Sequence, residues 1–419
     1  MRGMLARIKK KQEVKYIGLL VIVMVVQAIR YFPFKFGGWN QIQLSLNYSY
    51  GFVQRAFLGT VLDVCSKVFH IPWGYMRYLY GIGTMLIFTI LILGIFHKAL
   101  QMNTSNHVKK SFFYGMALLF FIGPGWNTYY SNFALTDIWL PILSIVGVYF
   151  IVKDKGIWIA LVVSAICILI HPAYVFLYFN FILVTLAYKV FIQDKSWDKK
   201  HIMWSAFVFI FNSMLFLYMM FFARAKEGVT IEHVMERTAE FVSKSVEEIA
   251  NHEPTIAGYL FREGSVTGVQ FVIQEYWLIF VVMLILFSPF IYEVYRYWRA
   301  LVIHAKEGKE RNWWMYALIP FGIITTVPMY IMHNDYGRWT YAVFFYEFAM
   351  IWMLNMINDE GADYATRALM KRIVSNRGYY VVLLFYATVL GAFEQNLVSS
   401  LISTVETYGW KVLEIVGIH

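Results

Sequence analysis

The sequence predicts an all-α fold: a polytopic membrane bundle of about eleven transmembrane helices, with amphipathic helices lying on its outer face. Composition is the first observation behind this. The chain is 59% hydrophobic and 15% charged, where a soluble globular protein has about 45–50% and roughly 25%. Apolar runs long enough, or nearly so, to cross a bilayer recur along all 419 residues, and this is the second. The third is an aromatic content of 19%, which suits rings placed at two lipid interfaces. Residues 1–419 therefore read as a single integral membrane domain, with a mean hydropathy of +0.55.

The spans, in order, are 16–32, 78–97, 111–130, 134–152, 157–171, 172–192, 203–222, 273–293, 314–332, 338–357 and 378–395. The basic N-terminus, MRGMLARIKKKQEVK, lacks small cleavage-site residues after its apolar run, so the first helix is read as retained. Basic clusters then fall in alternate connections: Lys98, Lys109 and Lys110; Lys195, Lys199 and Lys200; Arg296, Arg299, Lys306, Lys309 and Arg311; Arg367, Lys371, Arg372 and Arg377. By the positive-inside rule these are cytoplasmic, with the N-terminus inside and the C-terminus outside a plasma (inner) membrane. His171-Pro172 interrupts one long apolar stretch, and proline disfavours helix at the residue before it. We read two spans meeting at a tight outer turn, because one kinked helix would move the downstream basic loops outside. The stretch GPGWNTYYSNFALT, 123–136, reads as non-helical backbone that protein or a watery cavity must satisfy.

Two long segments lie outside the membrane on this reading. In 33–77, apolar residues at helical spacing predict an interfacial helix. In 223–272, Ile231, Val234, Met235, Thr238, Val242, Val246 and Ile249 share one helical face, and acids and bases fill the other. This predicts an amphipathic helix over the outer surface, either as a solvated lid or as part of a site. The tail, 396–419, predicts a further surface helix. The two cysteines, Cys65 and Cys167, support neither a disulfide framework nor a cysteine metal site. No metal or cofactor is expected. The formal charge of +10 reads as loops beside anionic lipid, and the scattered basic residues show no groove-binding motif, so nucleic acid is not an expected partner.

Ionisable residues from separate stretches gather on the outer side. They are Arg55, Asp137, His171, and the cluster His333, Asp335 and Arg338 inside IMHNDYGRWTYAVFFY. Charges at membrane depth are costly and usually face a bundle interior or a watery cavity, so these residues are functional candidates; the alternative is a rim of snorkelling residues at the interface. Arginine binds phosphate through two parallel contacts and stays charged, so Arg55, Arg338 and His171 are the candidate phosphate-binding residues. Asp335, His333 and Asp137 are the candidate catalytic ones, since an aspartate or histidine can accept an acceptor hydroxyl's proton. Trp126, Tyr129, Tyr130, Tyr336 and Trp339 are near enough in sequence to stack on sugars, or to anchor the chain in the interface. Together these point to sugar transfer from a polyprenyl-phosphate carrier, with the carrier-linked sugar, a glycan or lipid-linked acceptor and membrane lipids as partners.

Through YGFVQRAFLG, with Arg55, and HNDYGRW, with His333, Asp335 and Arg338, the chain resembles the GT-C class of multi-span glycosyltransferases and related bacterial polysaccharide polymerases and ligases. The span number and the long first outer loop add to the resemblance. GT-C enzymes keep an acidic residue soon after the first span, whereas this loop opens FPFKFGGWNQIQ and its only acid is Asp63. The resemblance therefore implies the polymerase-like branch, which leans on arginines to hold a lipid diphosphate and requires no metal. Two alternatives stay open: a transporter or flippase using Glu347 within the tenth span, and an outer-face acyltransferase working through His171 or His333.

Overall fold

The computed structural model describes residues 37–102, 106–123, 135–193, 199–261, 269–310, 312–332 and 336–392, with Phe133 and scattered positions between 14 and 29. Among the described residues every regular element is helical and there is no strand. The expected span 16–32 is described in part, and its described residues are helical. His333, Asp335, most of 123–136 and the expected tail helix at 396–419 lie outside the described residues.

The first loop contains α1 (Gly38–Ser45) and α2 (Ala56–Phe69). Then follow α3 (Trp73–Met102), α4 (His107–Ile122), α5 (Trp139–Val152), α6 (Ile157–Ile170), α7 (Tyr174–Leu177), α8 (Phe179–Tyr188) and α9 (Lys199–Phe221). The second long loop holds α10 (Ile231–Val242) and α11 (Glu253–Phe261). The remainder is α12 (Val269–Glu307), α13 (Trp313–Leu318), α14 (Val327–Met332), α15 (Tyr336–Met356), α16 (Glu360–Ser375) and α17 (Arg377–Ala392).

Among the described residues, three helical segments are long and apolar enough to cross a membrane: Trp73–Met102, Lys199–Phe221 and Trp313–Ile331. A fourth arises if α15 and α16, bent by 111°, count as one broken span. Thr136–Val152, Ile157–Ile170 and Phe179–Gln193 are apolar but shorter. At about 1.5 Å per residue, a helix of 14 residues such as α6 reaches only about 21 Å, short of a ~30 Å hydrocarbon core. The expected count of about eleven spans included several such pieces.

At His171-Pro172 the chain reverses. Asp154, between α5 and α6, ion-pairs with Lys189 after α8 at 2.6 Å, while Asp137 before α5 faces His171 after α6. Two ties at opposite ends make α5, α6 and α7–α8 three antiparallel arms, so 157–193 is a helical hairpin and not one kinked helix. Tyr174 Oη lies 3.2 Å from Ser164 Oγ and fastens the returning arm to the outgoing one.

Polar ties also close the end that holds Asp154. Lys109 of α4 ion-pairs with Asp363 of α16 and donates to Asn358 Oδ1 at 2.9 Å. Asp359 accepts from Tyr188 (2.7 Å) and Tyr316 (2.6 Å), and its other oxygen caps α16 through the Ala362 N–H. Asn358 takes φ 59, a left-handed helix-ending conformation that asparagine tolerates. The bend between α15 and α16 therefore sits where a helix stop meets an N-cap.

At the other end, the two long loops pack on each other. Ile42, Leu46, Val53 and Ala56 from the first form one core with Val234, Met235, Ile256, Tyr259 and Leu260 from the second. Of the expected amphipathic face, α10 buries Val234, Met235, Thr238 and Val242, and Ile249 beyond it is also buried. Burying an aliphatic side chain contributes about 1.5–3 kcal/mol where water is the alternative. Arg237 of α10 ion-pairs with Asp63 of α2 at 2.6 Å and lies 3.9 Å over the Trp73 ring, whose Nε1–H donates to the Arg237 carbonyl at 3.1 Å. The second loop is thus a folded cap fixed to the first.

Two consequences are measurable. A Cβ on Gly59 would overlap the Leu46 carbonyl oxygen and lie 2.6 Å from that of Leu44. Backbone cannot yield there cheaply, so Gly59→Ala should destabilise the protein by about 1–3 kcal/mol. An unchanged melting temperature in detergent would show that α2 does not depend on this close approach. The second concerns Asp63. Burial pulls its carboxyl upward, but hydrogen bonds and charge from Lys67 and Arg237 outweigh this and hold it below 3.8. A lowered folded value stabilises the fold above the ordinary carboxylate range, and that stabilisation is lost as pH falls through the folded value. The stability gap between wild type and Asp63→Asn, present at neutral pH, should close as pH drops below 3.8.

Candidate functional site

Four of the six ionisable residues singled out in the sequence converge at the capped end. Arg55 is the residue before α2, with φ 62 and ψ 13. This left-handed conformation is uncommon for a residue with a Cβ, and such strain tends to be kept at functional positions. Asp137 sits in the 3-10 turn Thr136–Ile138 that opens α5, where a carboxylate also meets the positive end of a helix dipole. His171 ends α6 and Arg338 lies in the first turn of α15.

Asp137 is the hub. Its Oδ2 accepts from Arg338 Nη1 at 2.9 Å, and its Oδ1 faces His171 Nε2 at 3.9 Å. Arg338 and Arg55 bring positive charge to bear on its carboxylate, and the His171 ring stands beside it. The residue is only 4% exposed, and Oδ1 has no hydrogen-bond partner among the described residues. The bond from Arg338 joins residues 201 positions apart in the chain, and the expected pairing of Arg338 with Asp335 falls outside the described residues.

The histidine's proton can be placed. The Ala173 N–H donates to His171 Nδ1 at 3.1 Å, within a turn where Pro172 has no N–H to offer. An Nδ1 that accepts is unprotonated, so the neutral ring carries its proton on Nε2, the nitrogen that faces Asp137. As placed, His171 offers a donor toward the site and no free basic nitrogen.

Three further residues complete the arrangement, and sequence reading did not single them out. Arg55 Nη1 donates to Tyr259 Oη at 2.9 Å, and its guanidinium lies 4.9 Å over the same ring. Gln43 Nε2 donates to that oxygen at 3.3 Å, while Gln43 Oε1 accepts from Thr136 Oγ1 at 2.5 Å. Gln43, Thr136 and Tyr259 are all buried. A chain of contacts thus runs from Asp137's neighbour Thr136 through Gln43 and Tyr259 to Arg55. The one sequence signal for it was that α11 and α1 belong to the loops flanking the site; neutral polar residues in such loops carry no mark of their own.

His333 and Asp335 lie outside the described residues, so their relation to this cluster is not part of the geometry. Glu347 lies roughly 13 Å further along α15 than Arg338, from nine residues of helix. There it accepts from Trp298 Nε1 at 2.7 Å. Among the described residues no group of three or more histidine, cysteine or acidic side chains is arranged to hold a metal. What the cluster offers chemically is two guanidinium groups, an imidazole N–H and a buried carboxylate, a set suited to an anion such as phosphate.

Removing Arg338 leaves a buried carboxylate without its ion pair. Arg338→Ala should therefore cost about 3–5 kcal/mol of stability, and adding Asp137→Asn to it should recover part of the loss. Melting temperatures of the two single variants and the double variant test this; additive effects would show that the two side chains do not depend on each other.

No family model matches this chain, and neither a curated protein nor a solved structure matches it.

Proposed function

We propose that this chain is a membrane glycosyltransferase or polysaccharide polymerase of the GT-C type. It transfers sugar or oligosaccharide from a polyprenyl-(di)phosphate carrier to a glycan or lipid-linked acceptor on the outer face of the plasma membrane. The reading includes about eleven spans, a cytoplasmic N-terminus and an outer C-terminus. The observation that carries it is the convergence of Arg55, Asp137, His171 and Arg338 from four separate elements. Ionisable groups at membrane depth are costly and are functional candidates by default.

In the proposed reaction, Arg55 and Arg338 hold the carrier phosphate, and the His171 Nε2–H adds a neutral donor. The acceptor hydroxyl oxygen attacks the anomeric carbon as the bond from that carbon to the phosphate oxygen breaks. The phosphate keeps the bonding electron pair, which the arginines stabilise. The hydroxyl proton passes to a carboxylate or imidazole, the role proposed for Asp335 or His333, with Asp137 orienting Arg338. The alternatives have less behind them. Trp298 already engages Glu347, which favours a fixed acceptor over a transporter's proton relay. An acyltransferase base at His171 would need the nitrogen that Ala173 occupies.

Because lysine does not reproduce a planar two-pronged contact, Arg55→Lys and Arg338→Lys should each lower product yield by about a hundred- to thousandfold. Lysine keeps the charge beside Asp137, so protein level in the membrane should be preserved. Transfer of labelled sugar from a polyprenyl-linked donor is the measurement; near-normal yield in both variants rules the site out. Tags in 299–311 and 362–372 should be reachable only from the cytoplasm, and one at 419 only from outside. A 299–311 tag reached from outside would place the cluster on the wrong face and remove the reading.

A further inference from the structure

We propose that Tyr259 of the cap is a third arm of the anion site, a hydroxyl donor beside Arg55 that faces the same phosphate. This rests on the phosphate-holding role proposed for the cluster. The inference comes from hydrogen-bond bookkeeping. A separation of 2.5 Å between Thr136 Oγ1 and the Gln43 side chain suits O–H···O and is too short for N–H···O. The amide oxygen therefore faces Thr136, which turns the amide nitrogen toward Tyr259. The phenol oxygen then receives two N–H groups, from Gln43 Nε2 at 3.3 Å and Arg55 Nη1 at 2.9 Å. With its acceptor capacity used, Tyr259 has only its proton left to give. No described side chain or carbonyl receives that proton.

Arg55 shows the matching feature. Its Nε is buried without a hydrogen-bond partner among the described residues, and it makes no ion pair among them. The carboxylate that acts on it from a distance, Asp137, has its hydrogen bond with Arg338. A guanidinium clamped on one edge by a phenol, with donors left over, and a phenol able only to donate, together present one sign of hydrogen-bonding capacity. An anion accepts both. The cap is then part of the site: α11 brings Tyr259, and the core shared with α1 and α2 sets where the hydroxyl sits. A solvated lid without chemistry would have no use for this placement.

The test uses the purified full-length chain in detergent micelles, with three probes: a polyprenyl phosphate, the matching polyprenol, and inorganic phosphate. Tyr259→Phe keeps the ring over Arg55 and deletes only the hydroxyl. Gln43→Met removes the amide that orients it. We expect Tyr259→Phe to weaken polyprenyl phosphate binding about tenfold or more and Gln43→Met to weaken it less. Polyprenol binding should stay as in wild type under Tyr259→Phe, while the melting temperature without ligand falls modestly, because Gln43 and Arg55 each lose an acceptor. Unchanged phosphate-probe affinity in Tyr259→Phe overturns the inference, as does an equal loss for polyprenol, which would mark the residue as structural. If wild type binds inorganic phosphate but not the lipid phosphate, the lipid-carrier reading falls while Tyr259 is still judged on the inorganic probe. If wild type binds neither, both fall.

Discussion

Asp137 brings a formal charge to a place where 4% of the residue is exposed, and much of the capped end is arranged by that constraint. A buried carboxylate is costly unless paired and hydrogen-bonded. Arg338 meets it from α15, His171 from the hairpin turn and Arg55 from the start of α2. Each approach fixes the register of the element that supplies it. α15 can slide along its axis only by withdrawing Arg338, and the hairpin can shift only by moving His171. A buried ion pair adds little net stability compared with well-packed apolar side chains. What it supplies here is a single relative placement of four elements.

That kind of placement matters more in a bilayer than in water. Apolar helices lose no solvent-exposed surface by associating within lipid, so close backbone approach and polar ties have to orient them. Both occur here. A Cβ on Gly147 would lie 3.7 Å from the Ala160 Cα, so the α5 and α6 backbones come close there, and the Ile182 side chain of α8 fills the space beside it. At the end away from the cap, Lys109, Asp359 and Asp363 knit α4, α8, α13 and α16 together through ion pairs and tyrosine hydroxyls. The cap is held by different physics. Its core of Ile42, Val53, Val234, Ile256 and Leu260 is built by apolar side chains from both loops.

The features that were legible in the sequence are those that chain chemistry forces locally. Pro172 lacks an N–H, so a break before it was legible, and the reversal there follows from the same chemistry. The apolar face of 231–249 was legible because 3.6-residue spacing has no cheaper explanation. Charges in an apolar chain stand out, so Arg55, Asp137, His171 and Arg338 could be named. The contact of Arg338 with Asp137 could not, because the two lie 201 positions apart and sequence spacing reports only local neighbours. Gln43, Thr136 and Tyr259 were illegible for another reason: an amide, a hydroxyl and a phenol are unremarkable in interfacial loops, and only their mutual distances give them a role. The number of full spans was less legible, because apolarity reads the same in a 14-residue arm as in a 30-residue helix.

The two arginines are held in different ways, and this bears on how an anion would be handled. Arg338 has a carboxylate at 2.9 Å, so much of its charge is already answered. Arg55 is clamped by a neutral phenol and makes no ion pair among the described residues. Asp137 also screens the repulsion that two guanidinium groups would feel if brought together without it. On the proposed reading, an arriving phosphate is drawn first to Arg55, whose charge is the less compensated. Arg338 then divides its donors between Asp137 and the phosphate, and that competition weakens its grip. A site with two uncompensated arginines would bind the departing phosphate as firmly as the transition state, and binding both equally gives no gain in rate. On that reading, pairing one arginine with a buried carboxylate moderates the grip on the carrier phosphate and lets it go afterwards.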